Sequence, residues 1–177
     1  CHDLIPLVDP SPAFKYDRIT RLWYRDRIEA LRRSDLILAN SDYSRGEVTD
    51  ILGVESDRVV TIGAGHDPDF RCKGLSDSQR ARFAESLGIT KPFIMFAGSL
   101  EPSKNVANFL KALGGLPASL QEQFQIVVAG KREPEDIRTL STLAPNQTLR
   151  SALRVLGHVS DEVLIDLYNS CPAFVFP

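Results

Sequence analysis

Gly98-Ser99-Leu100-Glu101-Pro102-Ser103-Lys104-Asn105 is the stretch best equipped for chemistry in this 177-residue chain. Gly98 permits close approach of a ligand to the backbone, Ser99 and Ser103 carry hydroxyl donors, and Lys104 supplies a cation. The apolar run Phe93-Ile94-Met95-Phe96-Ala97 before it reads as a buried strand. Val106, Phe109, Leu110 and Leu113 after it recur with helical spacing. A helix that starts here presents free backbone N–H groups, and with Lys104 these could neutralise a diphosphate as its sugar departs. The loop is neither a Walker pattern nor a Gly-x-Gly-x-x-Gly loop. By spacing alone a second reading therefore stays open, a surface loop in which Ser103 caps the helix and Lys104 is solvated.

Two further segments stand where ligands collect in open parallel sheets, beyond the C-terminal ends of strands. Gly63-Ala64-Gly65-His66-Asp67 follows the apolar run Arg58-Val59-Val60-Thr61-Ile62, and His2-Asp3 precedes the turn-rich Asp9-Pro10-Ser11-Pro12. His2 has two readings, contact with a reacting group or a local bond to its turn. Cys1, Cys72 and Cys171 are scattered, and form neither a disulfide framework nor a metal-ligand set. No metal site and no cofactor are expected. Asn146-Gln147-Thr148 fits the glycosylation pattern by letters only.

The elements that must hold these residues alternate. Ile19 to Arg33 reads as a helix, with Ile19, Trp23 and Ala30 on one side, Tyr24, Ile28 and Leu31 beside them, and the arginines on its wet face. Leu36 to Ala39 is a strand. A helix capped by Ser41 or Ser44 follows, with Val48, Ile51 and Leu52 at helical spacing and Gly53 as its stop. Ser76 and Gln79 have capping-box spacing before a helix that contains Phe83, Ala84 and Leu87. Beyond the Phe93–Ala97 strand come a strand at Phe124–Ala129, a helix at Pro134–Leu143 and a short strand at Arg154–Leu156. A last helix opens at Ser160, with Val163, Leu164, Leu167, Tyr168 and Cys171 on its buried face, and a strand arrives at Ala173–Phe176. Strand, helix, strand in repetition is the pattern of a parallel α/β fold. Residues 66–76 lack periodicity and suit a connector. The expected organisation is 1–75 as the C-terminal part of one domain with its connector, and 76–177 as the N-terminal part of another. The abrupt start at Cys1 and a strand at the very end suggest an incomplete central piece of a larger protein.

Composition bounds the partners. Hydrophobic residues make up 43% of the chain, enough for a packed core, and 21 basic against 23 acidic side chains leave a net charge of -2. That balance offers no broad attraction for nucleic acid. No apolar run approaches the ~20 residues needed to span a bilayer, though the parent protein could still associate with a membrane peripherally.

Ala97 to Asn105 resembles the phosphate-loop signature of glycosyltransferase family 4. His2-Asp3-Leu4-Ile5-Pro6, Ala39-Asn40-Ser41, Gly65-His66-Asp67 with Phe70, Leu156 to Glu162, and the closing Leu167-Tyr168 to Pro177 match further landmarks of that family, in family order. The resemblance implies the GT-B architecture, two Rossmann-like domains facing across a cleft, with the first serving the acceptor and the second the donor. It implies transfer of a hexosyl group, mannose or glucose, with retention, from a nucleotide diphosphate sugar to a saccharide, a lipid-linked or another hydroxyl acceptor. The setting it implies is polysaccharide biosynthesis in the cytoplasm or at the inner face of the membrane. Lys104 then contacts the donor diphosphate with Gly98, Ser99 and Ser103 lining its approach, and His2 lies near sugar and acceptor. Asp67 reads as fixing the interdomain connection, and His158 as local structure. Ser99 and Ser103 stand where many relatives carry arginine, which shifts the phosphate contact towards amides and hydroxyls. The family's acidic motif and second glutamate are expected beyond Pro177, so the chain alone is not expected to catalyse. A sugar-nucleotide epimerase or a noncatalytic α/β interaction domain are the alternatives.

Overall fold

Buried β-branched and aromatic runs form the strands, and capped amphipathic stretches form the helices between them. The computed structural model describes residues 1–8, 17–101, 104–130 and 134–177, the side chains of 134–137 excepted. In chain order the elements are α1 (Ile5–Val8), α2 (Arg18–Arg32), β1 (Ile37–Ala39), α3 (Asp42–Leu52), a 3-10 turn (Ser56–Arg58), β2 (Val59–Thr61) and α4 (Asp77–Ser86). They continue with β3 (Phe93–Ala97), α5 (Val106–Gly114), α6 (Ala118–Gln121), β4 (Gln125–Ala129), α7 (Pro134–Leu143), α8 (Gln147–Ala152), β5 (Leu153–Gly157), α9 (Asp161–Ser170) and β6 (Ala173–Phe174). They group into two compact units, Cys1–Asp67 and Pro68–Pro177.

In the first unit β1 and β2 pair in parallel, Leu38 opposite Val60. One face of the pair carries the core: Ile37, Ala39 and Val59 pack with Ile28 of α2 and with Val48 and Leu52 of α3. The other face shows Leu38 and Val60 to solvent, both over 40% exposed. Ser41 caps α3, accepting from the Ser44 N–H at 3.1 Å, while Ser44 itself is buried. Gly53 closes the helix with a left-handed φ of 67°, where a side chain would be strained. On α2, Ile28 is buried and Tyr24 and Leu31 pack on the core, but Ile19 and Trp23 stand in solvent.

The second unit is a four-stranded parallel sheet in the order β5-β4-β3-β6. Alternating side chains send Phe96, Ile126 and Val128 to one face, where α5, α7 and α8 add Phe109, Leu110, Leu140 and Leu149. Met95, Val127 and Ala129 go to the other face, under Leu167 of α9 and Phe83 and Ala84 of α4. Each large apolar side chain so buried stabilises the fold by about 1.5–3 kcal/mol before the entropy of ordering it. The Ser76–Gln79 capping box forms in both directions.

Two expectations need correction. Residues 70–73 belong with the second unit, since the Phe70 ring meets Tyr168 edge-on at 6.2 Å and the Lys73 N–H donates to Asn169 Oδ1 at 2.7 Å. Lys73 Nζ also pairs with Asp166 at 2.6 Å. On α9 Val163, Leu164, Leu167 and Cys171 pack on the core as expected, but Tyr168 is 37% exposed and Ile165, which was not assigned to the buried face, is buried. Asn146, whose glycosylation match was by letters only, caps α8 by accepting from the Leu149 N–H at 2.9 Å and donates to buried Gln121 at 2.9 Å.

Candidate functional site

The order β5-β4-β3-β6 makes the boundary between β3 and β6 a topological switch point. From β3 the chain runs outward to β4 and β5, then crosses back to lay β6 on the other side. Crossover loops diverge at such a point and leave a crevice beyond the strand ends. Gly98 leaves β3 there, and Phe176 follows β6.

Gly98 continues the ladder past β3, its N–H donating to Ala129 O at 2.9 Å. The next strand end repeats the device, Gly130 N–H to Gly157 O at 2.8 Å. Gly130 has φ 153°, and a Cβ on it would lie 2.1 Å from the Gly98 carbonyl oxygen, so only glycine lets the two backbones approach this closely. Gly98, at φ 151°, has Phe176 and Phe96 ring atoms at 3.6 Å from the place of a Cβ. Phe96 stacks on Phe176 at 6.1 Å and on Phe109 of α5 at 6.2 Å, tying strand end, crossover and helix together. Glycine backbones over an aromatic stack make a floor with polar N–H and C=O groups and no protruding side chain.

Lys104 is brought to this floor. Its N–H donates to Glu101 O at 2.9 Å, and its ammonium lies 5.6 Å from the centre of the Phe176 ring. That cation–π contact holds the charge beside the strand end that carries Gly98. Asn105, at φ 57°, is the N-cap of α5 but makes no side-chain capping bond; its Oδ1 accepts from Asn108 Nδ2 at 2.7 Å instead. The first N–H groups of α5 are thus left without a capping side chain, at the end where a helix favours negative charge. The structure therefore brings together Gly98, half-buried Ser99 and Lys104. Ser103 lies outside the described residues. Gly130, Gly157 and Phe176 join them without having been assigned from sequence, although glycine directly after three apolar runs was a visible signal.

His2 stands in the first unit, exposed, at the C-terminal end of β1. Ser44 Oγ donates to the His2 carbonyl at 2.8 Å, and Asn40 Nδ2 comes within 3.5 Å of His2 Nδ1. With Asn40 as donor, a neutral ring carries its hydrogen on Nε2. Asn40 Oδ1 is buried without a hydrogen-bond partner among the described residues. His66 and Asp67 are exposed, as is His158 between β5 and α9. The cysteines are free, and burial pushes the Cys171 thiol above its ordinary range. Among the described residues, no group of three or more His, Cys, Asp or Glu side chains is placed to hold a metal ion.

Residues 77–177 match the family described as glycosyl transferases group 1. The whole chain aligns at 33% identity with the serotype-specific mannosyltransferase WbdA of Escherichia coli, covering 22% of that protein. The O-antigen chain mannosyltransferase B of Escherichia coli is 30% identical over 84% of the chain and 39% of its own length. The chain spans about a fifth of the length of the first of these relatives. Among solved structures, Anabaena Alr3699/HepE in complex with UDP-glucose superposes with a TM-score of 0.68 at 21% identity, over 89% of this chain and 42% of that one. WaaG, a glycosyltransferase involved in lipopolysaccharide biosynthesis, also gives 0.68 at 21% identity, over 93% and 46%. The architecture is an α/β, Rossmann-like fold of the GT-B type.

Proposed function

The chain belongs to the group 1 glycosyl transferases, and from that premise we propose that the complete enzyme transfers a hexosyl group from a nucleotide diphosphate sugar to a hydroxyl acceptor. The observation that carries this reading is the conjunction at the switch point: a glycine floor, an uncapped helix start and Lys104 held beside them. As the sugar–phosphate bond breaks, negative charge gathers on the leaving diphosphate while the sugar gains oxocarbenium character. Fixed amides and a cation aimed at the diphosphate stabilise that state more than the bound donor. The names of the curated relatives support mannose as the sugar, and the O-antigen chain in one of them supports a saccharide as the acceptor. Glucose is the other hexose within the family's range.

In this reading the second unit is part of the donor-binding domain and the first is part of the acceptor-side domain, with His2 near sugar and acceptor. The bare Leu38–Val60 face supports an acceptor-side domain continued by further chain, since a parallel pair is ordinarily covered on both faces. Among the described residues no helix is long and apolar enough to cross a membrane. We place the complete enzyme in the cytoplasm, resting peripherally on the inner face of the membrane. Incubating it with a nucleotide-diphospho-hexose and a mannosylated acceptor tests the reaction. Release of nucleoside diphosphate with a new glycoside of the donor's anomeric configuration is expected, and an epimerised donor with no new glycoside would reject transfer.

A further inference from the structure

Lys104 carries its charge on a flexible four-carbon stem, which by itself fixes no position for the ammonium. Among the described residues no carboxylate pairs with that ammonium and no carbonyl accepts from it. What it meets is the Phe176 ring, with Nζ 5.6 Å from the ring centre. At that range the electron-rich face of a ring attracts a cation. An ion-paired lysine would have to surrender its carboxylate before it could take a phosphate. A lysine held on a ring keeps both its charge and its N–H donors for an incoming anion.

Phe176 is itself held from two directions. Its backbone arrives on the sheet, where the Val175 N–H donates to Met95 O at 2.9 Å and extends the pairing of β6 with β3. Its ring lies 11° from parallel with Phe96, which is fully buried and stacks in turn on Phe109 at 22°. The stack fixes the ring without enclosing it, since Phe176 stays 54% exposed. Burial therefore does not account for a phenylalanine at this strand end. A cation resting on its ring does.

We infer that Phe176 is a positioning residue for the donor diphosphate: its ring keeps the Lys104 ammonium at the β3 strand end before the donor arrives. A lysine free in solvent loses rotamer freedom when it closes on a ligand, whereas one already held has lost it on folding. Phe176 touches no phosphate in this arrangement and acts through Lys104. The inference rests on the assignment of Lys104 to the diphosphate, and it goes further in requiring an aromatic face, not merely apolar bulk, at position 176.

The test replaces Phe176 in the complete enzyme with phenylalanine analogues bearing one, two or three ring fluorines. Each fluorine drains the ring face while nearly preserving its shape. Titration calorimetry with a nucleoside diphosphate should show affinity falling step by step, to about twofold to tenfold below wild type, with nucleoside affinity unchanged. Phe176→Tyr, which keeps the ring face, should bind like the wild type. In a Lys104→Ala background the fluorine series should be flat, because the ring then has no cation to hold. A merely structural ring predicts otherwise, since a fluorinated ring still stacks on Phe96 and would leave the diphosphate unaffected. Constant diphosphate affinity along the series, with Lys104→Ala still weakening it, would overturn the role of Phe176 and leave the Lys104 assignment standing. A series that keeps its slope without Lys104 would also overturn that role. No effect of Lys104→Ala on the diphosphate would overturn both.

Discussion

Replacing Gly130 by Ala attacks the glycine floor of the candidate site without touching any charged group. A Cβ there would lie 2.1 Å from the Gly98 carbonyl oxygen and 2.7 Å from its carbon, whereas ordinary contact begins near 3.4 Å. The Gly98 backbone must therefore retreat by about 1 Å, against the N–H bond that anchors it to Ala129 O at 2.9 Å. The φ of 153° adds strain that an alanine cannot relieve by turning its side chain. Positive-φ strain of about 1–3 kcal/mol and overpacking of similar size give a destabilisation of roughly 2–6 kcal/mol. For a domain of this size that lowers Tm by roughly 8–24 °C. A displacement of about 1 Å in a positioned loop should also weaken nucleoside diphosphate binding by about tenfold to a hundredfold. Differential scanning calorimetry and titration calorimetry on the complete enzyme measure the two effects, with Gly46→Ala as the control, since nothing lies within 4 Å of its Cβ position. A Gly130→Ala enzyme that melts and binds like the wild type would refute the close-approach reasoning.

Ser76→Ala removes the side-chain half of the α4 capping box, the Oγ that accepts from the Gln79 N–H, while the Ser76 N–H still donates to Gln79 Oε1; it should cost about 1 kcal/mol, read by chemical denaturation, and an unchanged midpoint would mean that solvent replaces the cap. Asp17 caps α2 through the Thr20 N–H at 2.7 Å, and that bond holds its carboxyl below the ordinary value of 3.8. Because the folded pKa is the lower one, its contribution is complete above the unfolded value and fades as pH falls through the folded one. Acid unfolding of Asp17→Asn should therefore lack that part of the pH dependence, and identical acid profiles would contradict the cap. His2→Ala in the complete enzyme should lower turnover more than nucleotide affinity, so equal turnover at saturating donor and acceptor would remove His2 from the reaction.

Much of the fold was legible because its strands are short unbroken apolar runs and its helices carry explicit punctuation. Phe93–Ala97 needed only its hydrophobicity, and α3 and α4 needed only Ser41, Gly53 and the Ser76–Gln79 pair. Helices α6 and α8 escaped, since neither is long enough to display a period, and Asn146 announced itself first as a glycosylation match. On α9 four of the five residues read as buried do pack on the core, while its contacts with residues 70–73, nearly a hundred residues away in sequence, are ones that no local pattern encodes. At the site, Gly98 and Lys104 could be read from composition and resemblance. The parts played by Gly130 and Phe176 could not, because both depend on which strands become neighbours. Gly130 matters through the β3–β4 register, and Phe176 through the crossover that returns β6 to β3.

Lys104 is the side-chain cation that the described structure holds at the switch point, so its contact with the donor diphosphate is the claim on which the account turns. Titration calorimetry of the complete wild-type enzyme and Lys104→Ala, each with a nucleoside diphosphate and with the corresponding nucleoside, tests it directly. Removing a charge-assisted interaction of about 1.5–3 kcal/mol should weaken the diphosphate by about tenfold to a hundredfold and leave the nucleoside nearly unchanged. Equal weakening of both ligands in a folded variant, or weakening of neither, would contradict the assignment of this loop to the diphosphate.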